Sequence, residues 1–171
     1  MRHYPALILF PLLIMMPVPG AAIEKDPMSI SAECRDNKQC AYQGREIIID
    51  VILKNNSRID IGVPVDFIDA VGPYCTLVDN LTRKEITLRV GLAKPGLIKK
   101  FTSVPPGGSI KIEMYIPPDT IEAIRPTMVD LSANLAISAP IKLGMKGEEV
   151  KFSGRTSLRI VGEDKLEVEK K

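Results

Sequence analysis

The sequence predicts an all-β protein, specifically an immunoglobulin-like antiparallel β-sandwich of about seven to nine short strands. Short runs rich in β-branched residues recur at fairly regular spacing, with turn-forming residues between them. No segment keeps a helical period over the ~11 residues that would predict a long helix. No internal repeat or long linker divides the chain, so we expect a single domain over residues 23–162.

The predicted strands follow in chain order. Arg45–Lys54 is dense in β-branched residues and ends at turn formers, so it is expected to be a central strand. Arg58–Val65 alternates apolar and polar residues, and Pro64 favours an edge position near its end. The other predicted strands are Tyr74–Val78, Glu85–Val90, Ile98–Val104, Ser109–Ile116, Thr127–Ile137 and Glu149–Ile160, with a break at Gly154 left open.

Turn residues separate these strands. Asp79-Asn80 is expected to lie in a hairpin. Pro105-Pro106-Gly107-Gly108 is the clearest turn, because proline fixes φ at its entrance and glycine accepts positive φ. Pro117–Ile124 is expected to form one helical turn capped by Asp119.

An N-terminal export signal is predicted over residues 1–22. The apolar stretch Ala6–Met16 follows a basic start, and Gly20 and Ala22 have the small side chains that signal peptidase prefers, so cleavage is expected after Ala22. Stable membrane insertion is not expected, since a spanning helix needs roughly 20 apolar residues and prolines interrupt this stretch. We expect a secreted or periplasmic protein with a charged, flexible tail at 163–171.

His3 is the sole histidine, and the predicted cleavage removes it. Serine and cysteine nucleophiles commonly rely on an imidazole base, so histidine-dependent hydrolysis is not expected. Zinc and copper sites usually draw on histidine, and the phosphate-loop and dinucleotide fingerprints are absent. The sequence therefore predicts no catalytic residue, no metal and no cofactor, and it favours a protein that is not an enzyme.

Charge gives no argument for a nucleic-acid partner. Loss of Arg2 with the signal leaves 22 of the 23 basic residues against 21 acidic ones. These charges are interspersed, and the chain has no tryptophan. Nucleic-acid binding usually needs a basic stripe with stacking aromatic side chains, so none is expected here.

The cysteine count is odd for an oxidising compartment. Cys34 and Cys40 enclose a short polar stretch without a packing residue, so a disulfide between them is expected to staple this loop. Cys75 lies in a strand-like run and is expected to be a buried free thiol. Pairing of Cys75 with either of the others stays open, because connectivity is not readable from sequence.

The leading functional hypothesis is a module that binds an unknown protein partner through loops or an edge strand. The candidate loops are Val63–Pro73, Lys94–Leu97 and Pro105–Gly108, with the candidate residues Asp66, Phe67, Asp69, Lys94, Pro95, Pro105, Pro106 and Gly107. Two alternatives remain open. One is an enzyme that acts on carbohydrate with Asp66 and Asp69 in a concave pocket. The other is a small-ligand carrier with a cavity between its sheets.

The layout from Ile48 to Ile116 carries a family resemblance. A hydrophobic strand ends in Asn-Asn-Ser, a further strand ends in an Asp-Asn turn, and a Pro-Pro-Gly-Gly turn leads into an alternating strand. This resembles the small immunoglobulin-like domains of exported bacterial proteins and is similar to the propeptide-like domain of deuterolysin-type metalloproteases. No His-Glu-x-x-His motif follows. The resemblance therefore implies a stand-alone binding or inhibitor-like module.

Overall fold

The computed structural model describes residues 26–162 and residue 169, and it shows ten strands in two sheets. The predicted export signal and most of the predicted tail lie outside the described residues. The strands are β1 (Met28–Cys34), β2 (Ala41–Tyr42), β3 (Ile47–Asn55), β4 (Ile61–Val63), β5 (Tyr74–Asp79), β6 (Glu85–Thr87), β7 (Thr102–Val104), β8 (Ser109–Ile116), β9 (Asp130–Leu143) and β10 (Glu149–Gly162). The helices are α1 (Val65–Val71), α2 (Pro118–Ile124) and the 3-10 helix Pro95–Lys99.

The two sheets differ in size. Sheet A has the antiparallel order β1-β3-β8, so β3 is central as predicted. Sheet B has the order β2-β10-β9-β4-β7, with β5 paired to β9 and β6 paired to β5. Its short β2 strand runs parallel to β10, whereas its other pairings are antiparallel. The predicted all-β sandwich is confirmed.

Both sheets bury one face in a shared core. Alternate side chains of β3, including Ile49, Val51 and Leu53, are fully buried. The 14-residue strand β9 buries every second side chain from Leu131 to Ile141 in the same way. The period of two thus fixes which residues of β9 and its neighbours remain on the outer face of sheet B.

Helix α1 occupies the region that the sequence predicted as a loop, Val63–Pro73. Pro64 precedes the helix and accepts the backbone N–H of Ile68 at 3.0 Å, while Gly72 ends it with φ +76°. Its seven residues are shorter than the ~11-residue window that a periodic signal needs, which is why the pattern did not reveal it. The predicted strand from Ile98 to Val104 is likewise wrong at its start, because the 3-10 helix extends to Lys99.

Two smaller expectations are also corrected. Asp119 does not cap α2; Pro117 is the capping residue, and Pro118 starts the helix so that Asp119 falls inside its first turn. Strand β10 continues through Gly154 without a break. A Cβ at Gly154 would lie 2.8 Å from Cγ2 of Ile30 and 2.6 Å from Cζ of Phe152, so glycine is needed for this close approach of β1.

Candidate binding groove

A long groove crosses the outer face of sheet B along β9. Three adjoining hollows of about 530, 240 and 390 Å³ form it. Tyr74 and Ala136 line both the first and second hollows, and Phe67 and Ser138 line both the second and third. The floor runs from Asn134 to Pro140, a length of about 20 Å in an extended strand. The site is therefore an elongated trough rather than a closed pocket.

The floor is low because its outward side chains are small. The register places Ala136 between Tyr74 on β5 and Arg155 on β10. Neighbouring strands lie about 4.8 Å apart, so the Tyr74 and Arg155 backbones stand about 10 Å apart on either side of an alanine methyl. This spacing leaves a slot for one side chain of a ligand. Tyr74 is 51% exposed, so its ring is free to contact such a ligand.

One wall of the groove is apolar. In α1, Phe67 and Val71 are four residues apart and share one face, and both line the groove together with Val90. The segment between β6 and the 3-10 helix is held against α1 at Gly91, whose N–H donates to the carbonyl of Val71 at 2.7 Å. A Cβ at Gly91 would lie 2.1 Å from the carbonyl oxygen of Ala70, so this close approach requires glycine.

The other end of this wall is also anchored. The 3-10 helix contributes Ile98 to the groove, and Phe101 follows shortly after it. The ammonium of Lys142 lies 4.6 Å from the centroid of the Phe101 ring, a cation–π contact. Gly62 leaves room for this pair, because a Cβ there would lie 3.1 Å from Cβ of Lys142 and 3.2 Å from Cβ of Phe101.

The opposite wall, on β10, is cationic. Arg155 and Lys151 are exposed, and within the described part of the chain neither forms an ion pair. Glu149 also lines the groove, but Lys99 at 3.4 Å and Lys142 at 3.7 Å compensate its charge. The two walls thus present different chemistry to anything lying between them.

The sequence-predicted residues fall in four places. Phe67 lines the groove. Asp66 and Asp69 are exposed on α1, and neither lines a hollow of the groove. Lys94 and Pro95 are exposed where the 3-10 helix begins, and that helix packs against α1.

The third predicted loop belongs to another part of the molecule. The turn Pro105–Gly108 joins β7 in sheet B to β8 in sheet A, and its Pro105, Pro106 and Gly107 are exposed. Gly107 has φ +74°, as the sequence predicted for a glycine in this turn. Its N–H donates to the carbonyl of Asn55 at 3.0 Å, which ties the turn to the end of β3.

The groove contains residues that sequence reasoning did not select, namely Tyr74, Ala136 and Arg155. Their common signal is weak, because each only occupies an outward position of a strand. They meet only through the register of β5, β9 and β10, which a single sequence does not reveal.

The two alternative functions depend on the position of Asp66 and Asp69 and on the space between the sheets. Asp66 and Asp69 line none of the three hollows, so they do not form a carboxylate pair in this groove. Twelve large side chains of the described core are less than 2% exposed, and a separate hollow of about 340 Å³ lies where β1 of sheet A meets β10 of sheet B. Residues 26–162 contain no cluster of three side chains suited to hold a metal ion.

The outer face of sheet A carries a compact charge network instead of a groove. Asp50 is 3% exposed and accepts from Arg35 at 2.6 Å and from Lys111 at 2.8 Å. The Arg35 guanidinium also pairs with Glu113, which accepts from the hydroxyl of Tyr115 at 2.9 Å. The bond from Arg35 lowers the pKa of Asp50 despite its burial, with a further contribution from Lys111. Bonds from Arg35 and Tyr115 likewise lower the pKa of Glu113.

The cysteines are arranged as predicted. Cys34 and Cys40 form a disulfide, which holds the segment containing Arg35 at the end of β1. Cys75 is free and fully buried, and burial raises the pKa of its thiol to about 12. A thiol in this state is a packing residue rather than a nucleophile.

Comparisons with known proteins give similarity at the level of structure alone. No family model matches the chain, and no curated protein matches it either. An X-ray structure of a Northeast Structural Genomics Consortium target, SoR45, is similar over 79% of this chain and 86% of its own length, with 10% sequence identity and a TM-score of 0.40. No helix within the described residues is long and apolar enough to cross a bilayer.

Proposed function

We propose that the protein is an exported, non-enzymatic binding module that recognises a protein partner through the groove on sheet B. The observation that carries this proposal is the trough itself, which is about 20 Å long and has an apolar wall facing two cations, Arg155 and Lys151, that form no ion pair within the described residues. Small-molecule sites usually enclose most of their ligand, whereas a trough of this length suits a polypeptide segment.

Other features support export and a binding role. The Cys34–Cys40 disulfide is of the kind that persists in oxidising compartments, which agrees with the predicted signal at residues 1–22. The resemblance to a propeptide-like domain points to an inhibitor-like module, which would also act by binding a protein.

A pull-down from an envelope extract tests this function with two matched baits. Tyr74 in the groove and Tyr115 on sheet A are 51% and 50% exposed, so Tyr74→Ala and Tyr115→Ala remove equally accessible rings. We expect Tyr74→Ala to lose the captured partner and Tyr115→Ala to retain it. Circular dichroism on both baits verifies that they are folded. Equal capture by both variants would contradict the groove assignment.

The remaining predicted loop requires its own bait. Pro106→Ala changes the exposed turn between β7 and β8, which lies outside the three hollows. We expect this variant to capture the partner as the wild type does. Loss of capture by Pro106→Ala together with retention by Tyr74→Ala would move the binding surface to that end of the sandwich.

A further inference from the structure

We infer that the groove takes an extended peptide segment with acidic side chains directed at β10 and apolar side chains directed at α1. This inference rests on the proposed function and names the chemistry of its partner. The occupant is a segment of a partner protein, because a ligand must satisfy two unlike walls over about 20 Å. A chain of about six extended residues spans that distance.

Side-chain alternation in an extended chain matches the difference between the walls. Successive side chains of an extended peptide point to opposite sides. A peptide that lies along β9 therefore directs one set of side chains at Phe67 and Val71 and the other set at Arg155 and Lys151. Alternating apolar and acidic residues would therefore satisfy both walls at once.

The spacing of the cations also fits such a segment. Arg155 and Lys151 occupy outward positions four residues apart on β10, a separation of about 13 Å. Acidic side chains at positions i and i+4 of an extended peptide are separated by the same distance. The guanidinium of Arg155 can donate two parallel hydrogen bonds to one of these carboxylates, and the ammonium of Lys151 can form an ion pair with the second carboxylate.

The floor provides polar groups for the peptide backbone. Within residues 26–162, the side chains of Asn134, Ser138 and Ser157 make no hydrogen bond to protein groups. They are exposed along the trough, so they can donate to and accept from a backbone that lies above them. The small alanine at position 136 allows that backbone to approach closely.

The surroundings favour an acidic ligand over a basic one. The stretch from Ile86 to Ile112, which includes the rim segment beside α1, has no acidic residue. Its exposed cations are Arg89, Lys94, Lys99 and Lys100, of which Lys99 is paired with Glu149. Such a rim attracts an acidic segment during encounter and repels a basic one, and salt screens the effect.

Nuclear magnetic resonance titration with synthetic peptides tests the inference. The probe is an end-blocked hexapeptide of alternating glutamate and valine, and the comparison probe replaces each glutamate by lysine. We expect the glutamate peptide to shift the resonances of backbone amides between Asn134 and Pro140 and between Lys151 and Ser157. We expect its binding to weaken as salt is added. We expect no such shifts with the lysine peptide.

Two arginine variants on the same strand supply the matched control. Arg155→Met removes a groove cation that has no ion pair within residues 26–162, whereas Arg159→Met removes an arginine that is already paired with Asp130 at 2.7 Å. We expect Arg155→Met to raise the Kd of the glutamate peptide by roughly tenfold, as for loss of one charged hydrogen-bonding partner. Arg159→Met should leave it within about twofold.

Three results would overturn the inference: equal binding of the lysine peptide, shifts confined to sheet A, or equal loss of affinity in both arginine variants. Failure here is distinguishable from failure of the proposed function. If Tyr74→Ala abolishes partner capture but neither peptide binds, the function stands and the ligand chemistry is wrong. If Tyr74→Ala and Tyr115→Ala capture equally, the proposed function itself fails.

Discussion

The two outer faces of the sandwich use similar residues in opposite ways. On sheet A, Arg35 pairs with Asp50 and Glu113, and Tyr115 donates to Glu113. On sheet B, Arg155 has no ion pair within the described residues, and Tyr74 stands beside an open slot. A charge whose partner is in the same chain supports the fold, whereas an unpaired charge in a trough is available to a ligand.

The network on sheet A follows from its register. Glu33, Asp50 and Glu113 lie side by side across three strands, and like charges in this arrangement repel each other. Arg35 and Lys111 offset that repulsion by contacting Asp50 from either side. The charged side chains of this face thus compensate one another only when all of them are present. The charge of Arg35 is therefore not available to bind a partner.

The largest expected effect comes from Asp79, whose side chain points into the core side of sheet B. It accepts from the N–H of Leu81 at 2.9 Å, the hydroxyl of Thr82 at 2.8 Å and Arg125 at 3.1 Å. Asp79→Ala leaves these donors without an acceptor and should cost about 3 kcal/mol in the free energy of unfolding. Urea unfolding measures this loss. A cost below about 1 kcal/mol would contradict a structural role for the buried Asp79 carboxylate.

Asp79 also predicts an acid-sensitive contribution to stability. Burial pushes the pKa of this carboxyl upward, but the bonds from Leu81, Thr82 and Arg125 outweigh it and lower the pKa from 3.8 to about 2. A lowered pKa in the folded state stabilises the protein above pH 3.8, and this contribution is lost as the pH falls toward 2. The unfolding free energy of wild type should therefore fall more steeply over this range than that of Asp79→Ala.

A somewhat smaller effect is expected from the disulfide beside Arg35. Replacing Cys34 and Cys40 together by serine removes a short loop constraint and should cost about 2 kcal/mol. Because the same segment carries Arg35, the loss should not add fully to that of Arg35→Met. A double-mutant cycle measured by urea unfolding checks this coupling. Full additivity would show that the disulfide does not position Arg35 over Asp50.

The smallest expected effect concerns Cys75, the neighbour of Tyr74 with its side chain on the inner face. Burial holds the pKa of this thiol at about 12, so a thiol reagent at pH 8 should not label the native protein. Labelling should occur when urea unfolds the chain. Cys75→Ser, which is not labelled in either state, is the control. Rapid labelling of the native protein would show that the inner face of β5 opens readily.

The sequence predicted the parts of the fold that depend on local pattern. Alternation identified Ser109–Ile116, and the Pro-Pro-Gly-Gly stretch identified its preceding turn. Helix α1 was not predicted, because its seven residues carry too little periodic signal. The first strand, Met28–Cys34, lies outside the predicted strands, although its apolar and polar residues alternate as those of Ser109–Ile116 do.

The groove could not be predicted in the same way. Phe67 was selected for its place in a presumed loop, although it acts in the wall of the groove from a helix. Tyr74, Ala136 and Arg155 form one row only after three strands find their register. Whether an arginine is paired is also a tertiary property, so nothing local separates Arg155 from Arg35.

The contrast between these two arginines is the central claim, and one pair of variants measures it. Arg35→Met and Arg155→Met make the same change on opposite faces, and each is assayed for thermal unfolding and for affinity toward the alternating glutamate and valine peptide. Arg35→Met should lower the Tm by about 5 °C and keep its affinity. Arg155→Met should keep its Tm within about 2 °C and lose roughly tenfold in affinity. The reverse pattern, or equal effects in both variants, would contradict the account.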